Sequence, residues 1–193
     1  GSRPLPEKLE SLARQRGWRL FNSTLLRLDD LTAAADALQE RFAPEAPSLR
    51  ARMEQAWAPR EGLFTGSTLL LMSADPPAAL GPGSFHQQIL DRLGGTPALT
   101  EGKPYITMDA EDVLRLAPGA IILISPRIAG TPAPPPRSPE EIRAMLGRIG
   151  TLDIPAVRAG RLALIDDPLS LTPSSAMIGF ANELAGILEA WRE

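Results

Sequence analysis

The 193-residue sequence has no cysteine and a single histidine, His86. The lack of cysteine excludes disulfides, thiolate metal sites and cysteine nucleophiles. One histidine cannot form a zinc-binding cluster, and it would have to serve alone as the base of a Ser-His-Asp triad. Aromatic residues make up only 5% of the chain, so the core has to be built mainly from Leu, Ile, Val and Ala.

Two further absences limit the class of partner. The net charge is -3, which lacks the basic excess of a nucleic-acid-binding surface. No stretch approaches the ~18 apolar residues of a membrane-spanning helix. Gly1 and Ser2 look like the remnant of a cleaved expression tag, so a removed signal sequence would not be visible in this chain, and its absence is not evidence for the cytosol.

Short apolar runs alternate with helical patterns from residue 65 onward. Residues 67–73 and 120–125 are apolar runs of strand length, which predicts buried strands, and residues 161–166 are predicted to form a third strand. Helix starts are predicted at Ser84, Asp109 and Ser138, and near Pro173. This alternation predicts an α/β fold: a three-layer αβα lobe with a mostly parallel central sheet.

The chain before residue 66 is predicted to be a helical section, with a change of composition near residues 59–66. Helices are expected over residues 6–17, from Asp29 or Asp30 to 38, and over 48–58, with a short strand at 18–21. The last of these helices is capped by Ser48 and ended by Pro59.

Three loops are expected at the carboxyl edge of the sheet, where ligands bind in open α/β folds. They are residues 74–83, 126–130 and 167–173. All three contain Pro, Gly or Ser and few charges, which suits a cleft for an organic ligand. The alternative is that they are connections without a binding role.

Two segments carry a resemblance to a known family. Residues 80–99 (LGPGSFHQQILDRLGGTPAL) resemble the "GpgSf…ll…aGG.n" segment of the periplasmic binding proteins that deliver siderophores, haem or cobalamin to ABC importers. Residues 105–124 (YITMDAEDVLRLAPGAIILI) are similar to that family's next stretch, with Gly119 where the family usually has Asp. The glycines and serine of the first pattern are Gly81, Gly83, Ser84, Gly94 and Gly95.

The resemblance implies two α/β lobes joined by a long helix, with the ligand between them. On this interpretation residues 1–45 are a remnant of the N-terminal lobe, 46–66 are the connecting helix and linker, and 67–193 are the C-terminal α/β lobe. Most of the first lobe would then be missing, through truncation or because the chain is a one-lobed relative. A severed lobe interface would expose apolar surface, which predicts a homodimer through that surface.

The function implied by the resemblance is that of a substrate-binding component of an ABC importer, not an enzyme. It would capture an iron-siderophore, haem or cobalamin-type ligand, dock to the membrane permease, work in the periplasm or otherwise outside the cytoplasm, and need no cofactor. One alternative is a one-lobed interaction or scaffold domain of the same fold without ligand binding. The other is a flavodoxin-like or hydrolase-like enzyme domain, for which the sequence offers no GxSxG, no Walker loop and no GxGxxG after a strand.

Two candidate residues come from the resemblance. Glu111 stands where the family places a glutamate that docks onto arginines of the permease; the alternative is an acid favoured in the first turn of a helix by the helix dipole. Tyr105 aligns with an often aromatic position that lines the ligand cleft; the alternative is a Tyr that packs its ring and leaves its hydroxyl in water.

Four more residues are expected at the binding edge. Arg127 follows the strand at 120–125 and could pair with ligand carboxylates, or it could simply be solvated. His86 is either a haem ligand or a half-buried histidine near a helix start. Ser84 and Leu169 complete the predicted ligand-binding set. No metal site is predicted, because the adjacent Asp166 and Asp167 point in different directions.

Overall fold

The computed structural model describes residues 5–21, 23 and 25–192. Within these residues the chain forms α-helices, a single turn of 3-10 helix at Ile149–Thr151, and strands. The helices are α1 (Glu7–Arg16), α2 (Leu28–Phe42), α3 (Leu49–Ala56), α4 (Phe85–Leu93), α5 (Ala110–Leu116), α6 (Pro139–Met145), α7 (Pro155–Arg158) and α8 (Met177–Ala190). The strands are β1 (Ser67–Ala74), β2 (Pro77–Leu80), β3 (Thr96–Pro97), β4 (Tyr105–Thr107), β5 (Ala120–Ile124) and β6 (Leu162–Ile165).

The strands form one sheet in the order β4-β2-β1-β5-β6, with β3 pairing with the start of β1. β5 runs parallel to β1, and β6 runs parallel to β5. β2 is antiparallel to β1, and β4 is antiparallel to β2, so β4 points the same way as β1. The predicted mostly parallel sheet is confirmed, and β2 is its one reversed strand among the described residues.

Helices cover both faces of the sheet, because successive residues of each central strand point to opposite sides. Leu70 and Ile122 join a core with α2, α3, α4 and α8. Leu71 and Ile121 join a second core with α5, α6 and α7. All four side chains are at most 2% exposed. This arrangement confirms the predicted three-layer αβα architecture.

The helical section before β1 packs against the first of these cores. Leu28 of α2, Met53 of α3 and Trp57 are each at most 2% exposed, and burial of such side chains contributes about 1.5–3 kcal/mol apiece. Other large apolar side chains of the section face outward: Trp18 is 54% exposed and Phe42 is 72% exposed.

The predicted helix caps at Ser84, Asp109 and Ser138 are confirmed. Each side chain accepts a hydrogen bond from the backbone N–H three residues later, which satisfies one of the free donors at a helix start. Residues 84–87 have the sequence of a capping box, in which the Gln87 side chain would reach back to the start of α4. This expectation is wrong, because the Gln87 side chain donates to the carbonyl oxygen of Leu99, 2.9 Å away.

Two predicted local structures are also wrong. Residues 18–21 form no strand in the described structure, because no neighbouring strand pairs with them. Residues 74–83 are not a continuous loop, because β2 turns back at Asp75 and Pro76 and pairs with β1. At the end of the chain, α8 begins at Met177, after turns that place Ser174 and Ser175 as acceptors for the first helical N–H groups.

Candidate binding edge

The parallel strands β1, β5 and β6 end at Ala74, Ile124 and Ile165, at the same edge of the sheet. Long loops leave this edge after β5 and β6, at residues 125–138 and 166–176. After β1 the edge carries only the tight turn at Asp75 and Pro76. Two of the three loops expected at the edge are therefore available to bind a ligand.

Arg127 is held against the end of β6. Its Nη1 donates to Oδ1 of Asp166 at 3.0 Å and to the Asp166 carbonyl oxygen at 3.2 Å. The backbone N–H of Arg127 donates to the same carbonyl oxygen at 2.9 Å. Both side chains are about three-quarters buried. Arg127 therefore pairs with a carboxylate through Nη1 and ties the loop after β5 to the loop after β6, while its Nε is buried without a partner among the described residues.

Acidic groups surround this ion pair. The pKa of Glu183 on α8 is raised, first by desolvation and then by repulsion from Asp166 and Asp167, and Arg127 partly offsets this effect. The three carboxyl groups of Glu183, Asp166 and Asp167 are thus opposed by one positive charge, that of Arg127. This electrostatic balance disfavours an anionic ligand group and suits a neutral or cationic one.

The loop after β6 is fastened to α4 through His86. The His86 ring is 3% exposed, and its Nε2 lies 2.7 Å from the carbonyl oxygen of Ser170. A carbonyl can only accept, so Nε2 carries the hydrogen. The ring also meets Phe180 of α8 edge-on, with centroids 4.8 Å apart. Burial lowers the pKa of His86, so the ring is neutral at pH 7.

At this edge Ser84 is buried and Leu169 is exposed. Ser84 is 2% exposed, and its hydroxyl accepts from the Gln87 N–H as the cap of α4. Leu169 is 49% exposed, on a turn in which the Asp167 carboxylate accepts from the Leu169 N–H at 2.8 Å. Three of the predicted ligand contacts lie on α4 and the loop after β6. Leu169 is exposed to a ligand, whereas Ser84 and His86 are buried and bond backbone groups of α4 and of the loop.

Tyr105 and Glu111 lie elsewhere. Tyr105 is on the edge strand β4, three strand spacings from β5, which is about 14 Å. It is 59% exposed and borders a cavity of 690 Å³ between the loop at residues 99–103, β4 and α5. Glu111 is exposed in the first turn of α5. The structure thus brings together Ser84, His86, Arg127 and Leu169, and places the other two predicted residues apart from them.

The partners of Arg127 and His86 are not predicted by the sequence patterns. Asp166 ends a predicted strand, and Glu183 and Ser170 belong to no recognisable motif. The signal for Asp166 was its place after a buried strand that neighbours the strand before Arg127. No signal in the sequence pointed to Ser170, because its contact with His86 spans 84 residues and uses a backbone carbonyl.

Two features are absent from the described part of the chain. Residues 5–21, 23 and 25–192 contain no group of three or more His, Cys, Asp or Glu side chains placed to hold a metal ion. In the same part of the chain, no helix has the length and apolar character needed to cross a bilayer.

Comparison with solved structures shows which proteins share this fold. A possible iron-binding periplasmic solute-binding protein from Staphylococcus epidermidis matches with a TM-score of 0.69 and 16% identity, over 93% of this chain and 69% of that protein's chain. The periplasmic vitamin B12 binding protein BtuF of Vibrio cholerae matches with a TM-score of 0.64 and 17% identity, over 96% and 70%. A periplasmic heme-binding protein from Pseudomonas aeruginosa gives 0.68 and 18%, over 97% and 70%.

The chain therefore has the fold found in periplasmic solute-binding proteins, and the resemblance seen in the sequence is confirmed for the fold. The match includes the helical section before β1 as well as the α/β lobe, and the chain spans about 70% of those proteins' length. No sequence-family profile matches the chain, and no curated protein matches it either.

Proposed function

We propose that this chain is part of the substrate-binding component of an ABC importer that works outside the cytoplasm, in the periplasm or an equivalent compartment. The observation that carries the proposal is the fold shared with solute-binding proteins along nearly the whole chain. In this proposal residues 1–45 belong to a first lobe, 46–66 connect the lobes, and 67–193 form the second lobe. The exposed Trp18 and Phe42 then face the remainder of the first lobe.

The ligand face of the second lobe is the edge formed by the loops after β5 and β6. Leu169 offers an exposed apolar contact there, and the His86–Ser170 hydrogen bond fixes the turn that presents it. The loop is thereby held in place before binding, which reduces the ordering cost that a ligand would otherwise meet. Ser84 contributes indirectly, because it caps α4 and so fixes the helix start that carries His86.

The charge at this edge selects among the ligands that such proteins bind. Arg127 is paired with Asp166 through Nη1, and Glu183 and Asp167 leave an acidic excess. A ligand carboxylate at Arg127 would therefore be repelled by the neighbouring carboxyl groups. The proposed ligand is therefore a neutral or cationic metal chelate, or a cobalamin-type tetrapyrrole, in preference to a dianionic haem.

Binding is best measured on the longer parent polypeptide, with the 193-residue chain beside it. Quenching of Trp fluorescence is followed during titration with cyanocobalamin, a cationic ferric hydroxamate and hemin. We expect the first or second probe to bind the parent protein more tightly than hemin does. If the parent binds none of the three probes, the transport proposal fails and a scaffold without ligand binding takes its place.

A matched pair of variants tests the location of the ligand face. Leu169→Lys puts a positive charge at a loop position that is 49% exposed, and Leu114→Lys does the same at a position of α5 that is 48% exposed. We expect Leu169→Lys to weaken ligand binding about tenfold or more, because it removes an apolar contact and places a charge there that a neutral ligand cannot pair and a cationic ligand is repelled by. Equal effects of the two changes would place the ligand elsewhere.

Docking to the permease is assigned to Glu111. This side chain is exposed in the first turn of α5, and the cap of that helix is made by Asp109 and Asp112 without it. Glu111→Gln should therefore leave the free energy of unfolding within about 0.5 kcal/mol of the original. Ligand uptake by cells that carry the cognate permease should fall, while ligand binding by the isolated protein stays unchanged. Unchanged uptake would remove Glu111 from the docking surface.

A further inference from the structure

The outer edge of β4 is open. β4 pairs with β2 through Ile106 opposite Ala79, and the Met108 N–H donates to the Pro77 carbonyl oxygen at 2.9 Å. Backbone groups alternate in direction along an antiparallel strand, so those of Tyr105 and Thr107 point away from β2. In the described part of the chain, β4 is the last strand on its side of the sheet. Two residues thus present free strand-pairing groups to solvent.

A hollow with apolar and charged walls adjoins this open edge. The cavity of 690 Å³ beside β4 has the apolar side chains of Leu99, Ile106, Met108 and Leu116 on its walls, together with the charged Glu101, Lys103, Asp112 and Arg115. Ile106 is only half-buried, although it points to the same face of the sheet as the buried Met108. An apolar side chain brought in along the edge of β4 would enter this hollow.

We propose that a second copy of this chain pairs with β4 in antiparallel fashion, about a twofold axis at Ile106. In that register Tyr105 of each copy lies opposite Thr107 of the other, and each such pair exchanges two backbone hydrogen bonds. The two Ile106 side chains are neighbours across the axis, on the face with the hollow.

Charge complementarity identifies the occupant as a second copy. Lys103 and Asp109 each lie three residues from Ile106, on opposite sides, and both are exposed. Both lie just outside β4, so a twofold axis at Ile106 brings the basic start of each strand, at Lys103, toward the acidic end of the other, at Asp109. The same contact forms twice, as a symmetric interface requires. A strand of an unrelated protein would meet Lys103 and Asp109 without this match.

The pairing is additional to the proposed ligand face. The loops after β5 and β6 lie at the far side of the sheet from β4, so they stay open in the dimer. The proposal is also distinct from a dimer through the apolar side chains of α1 and α2. The interface is small, which places it among weak, concentration-dependent associations.

Sedimentation velocity of the 193-residue chain, from about 5 µM to about 500 µM, tests the association. We expect a reversible monomer–dimer equilibrium within this range. Thr107→Pro removes the outward N–H while keeping the bonds to β2, as proline is tolerated on the open side of an edge strand. It should raise the dimer dissociation constant at least tenfold. Thr107→Val keeps the N–H and should leave dimerisation unchanged.

Amide hydrogen exchange measures the interface directly. The Tyr105 and Thr107 amides should exchange more slowly as protein concentration rises, while the Met108 amide, bonded inside the chain, should not change. Phe42→Ser is the control that tests for dimerisation through the exposed apolar side chains of α1 and α2. A chain that stays monomeric at about 500 µM, or a dimer abolished by Phe42→Ser and not by Thr107→Pro, would overturn the proposal.

Discussion

His86 Nε2 lies 2.7 Å from the carbonyl oxygen of Ser170, although the two residues are 84 positions apart in the chain. Through this bond the first turn of α4 holds the turn at residues 167–170, which presents Leu169. The only histidine of the chain therefore stabilises the candidate binding edge by joining α4 to the loop after β6.

Replacement of His86 should destabilise the fold. His86→Phe keeps a ring against Phe180 and leaves the buried Ser170 carbonyl without its donor, which should reduce the free energy of unfolding by about 1–3 kcal/mol. Urea unfolding followed by Trp fluorescence measures the change. Ser170→Ala is the matched control, because it keeps the carbonyl and removes a hydroxyl that is buried without a partner among the described residues. A larger loss for Ser170→Ala than for His86→Phe would contradict this account.

Stability should also depend on His86 through pH. Burial lowers the pKa of His86 in the folded protein below its ordinary value of 6.5, so the unfolded chain binds the proton more readily. The free energy of unfolding is then fully maintained above pH 6.5 and decreases as the pH falls below it. Unfolding curves between pH 8 and pH 5 should show this decrease in the original protein. The decrease should be smaller in His86→Phe; parallel pH profiles would exclude His86 as its source.

The acidic cluster at the edge allows a test with two opposite signs. Arg127 lowers the pKa of Glu183, whereas Asp166 raises it. Arg127→Met should therefore raise the pKa of Glu183 further, and Asp166→Asn should lower it. Carboxyl carbon NMR titration of Glu183 measures both shifts. Shifts in the same direction for the two variants would show that Arg127 and Asp166 do not act on Glu183 through charge.

Two glycines of the chain should respond oppositely to alanine. A Cβ on Gly150 would clash with the carbonyl oxygen of Arg143, so Gly150→Ala should reduce the free energy of unfolding by about 2 kcal/mol or more through overpacking. Gly179 lies within α8 with no atom within 4 Å of an added Cβ. Gly179→Ala should stabilise the protein by about 0.5–1 kcal/mol, because alanine is the better helix former. Thermal unfolding of the two variants compares them directly.

Features encoded over a few neighbouring residues were predicted well. Ser84, Asp109 and Ser138 cap helices as expected, because a cap bond joins residues only three apart. The strand at residues 18–21 was wrong because a strand exists only where another strand pairs with it, and no such partner lies beside Trp18 and Phe21. The hairpin formed by β1 and β2 was not predicted, because the Pro and Gly residues at positions 74–83 indicated a loop.

The sequence by itself determined the α/β class and the two buried faces of the sheet, because hydrophobic periodicity is local and strong. It also determined that the chemistry could not depend on cysteine or on a histidine cluster. Only the tertiary structure decided that Arg127 is engaged by Asp166, that His86 supports the loop with Ser170, and that β4 is an open edge. Those relationships join residues far apart in the chain, and their geometry is set by the order of strands in the sheet, which local patterns do not encode.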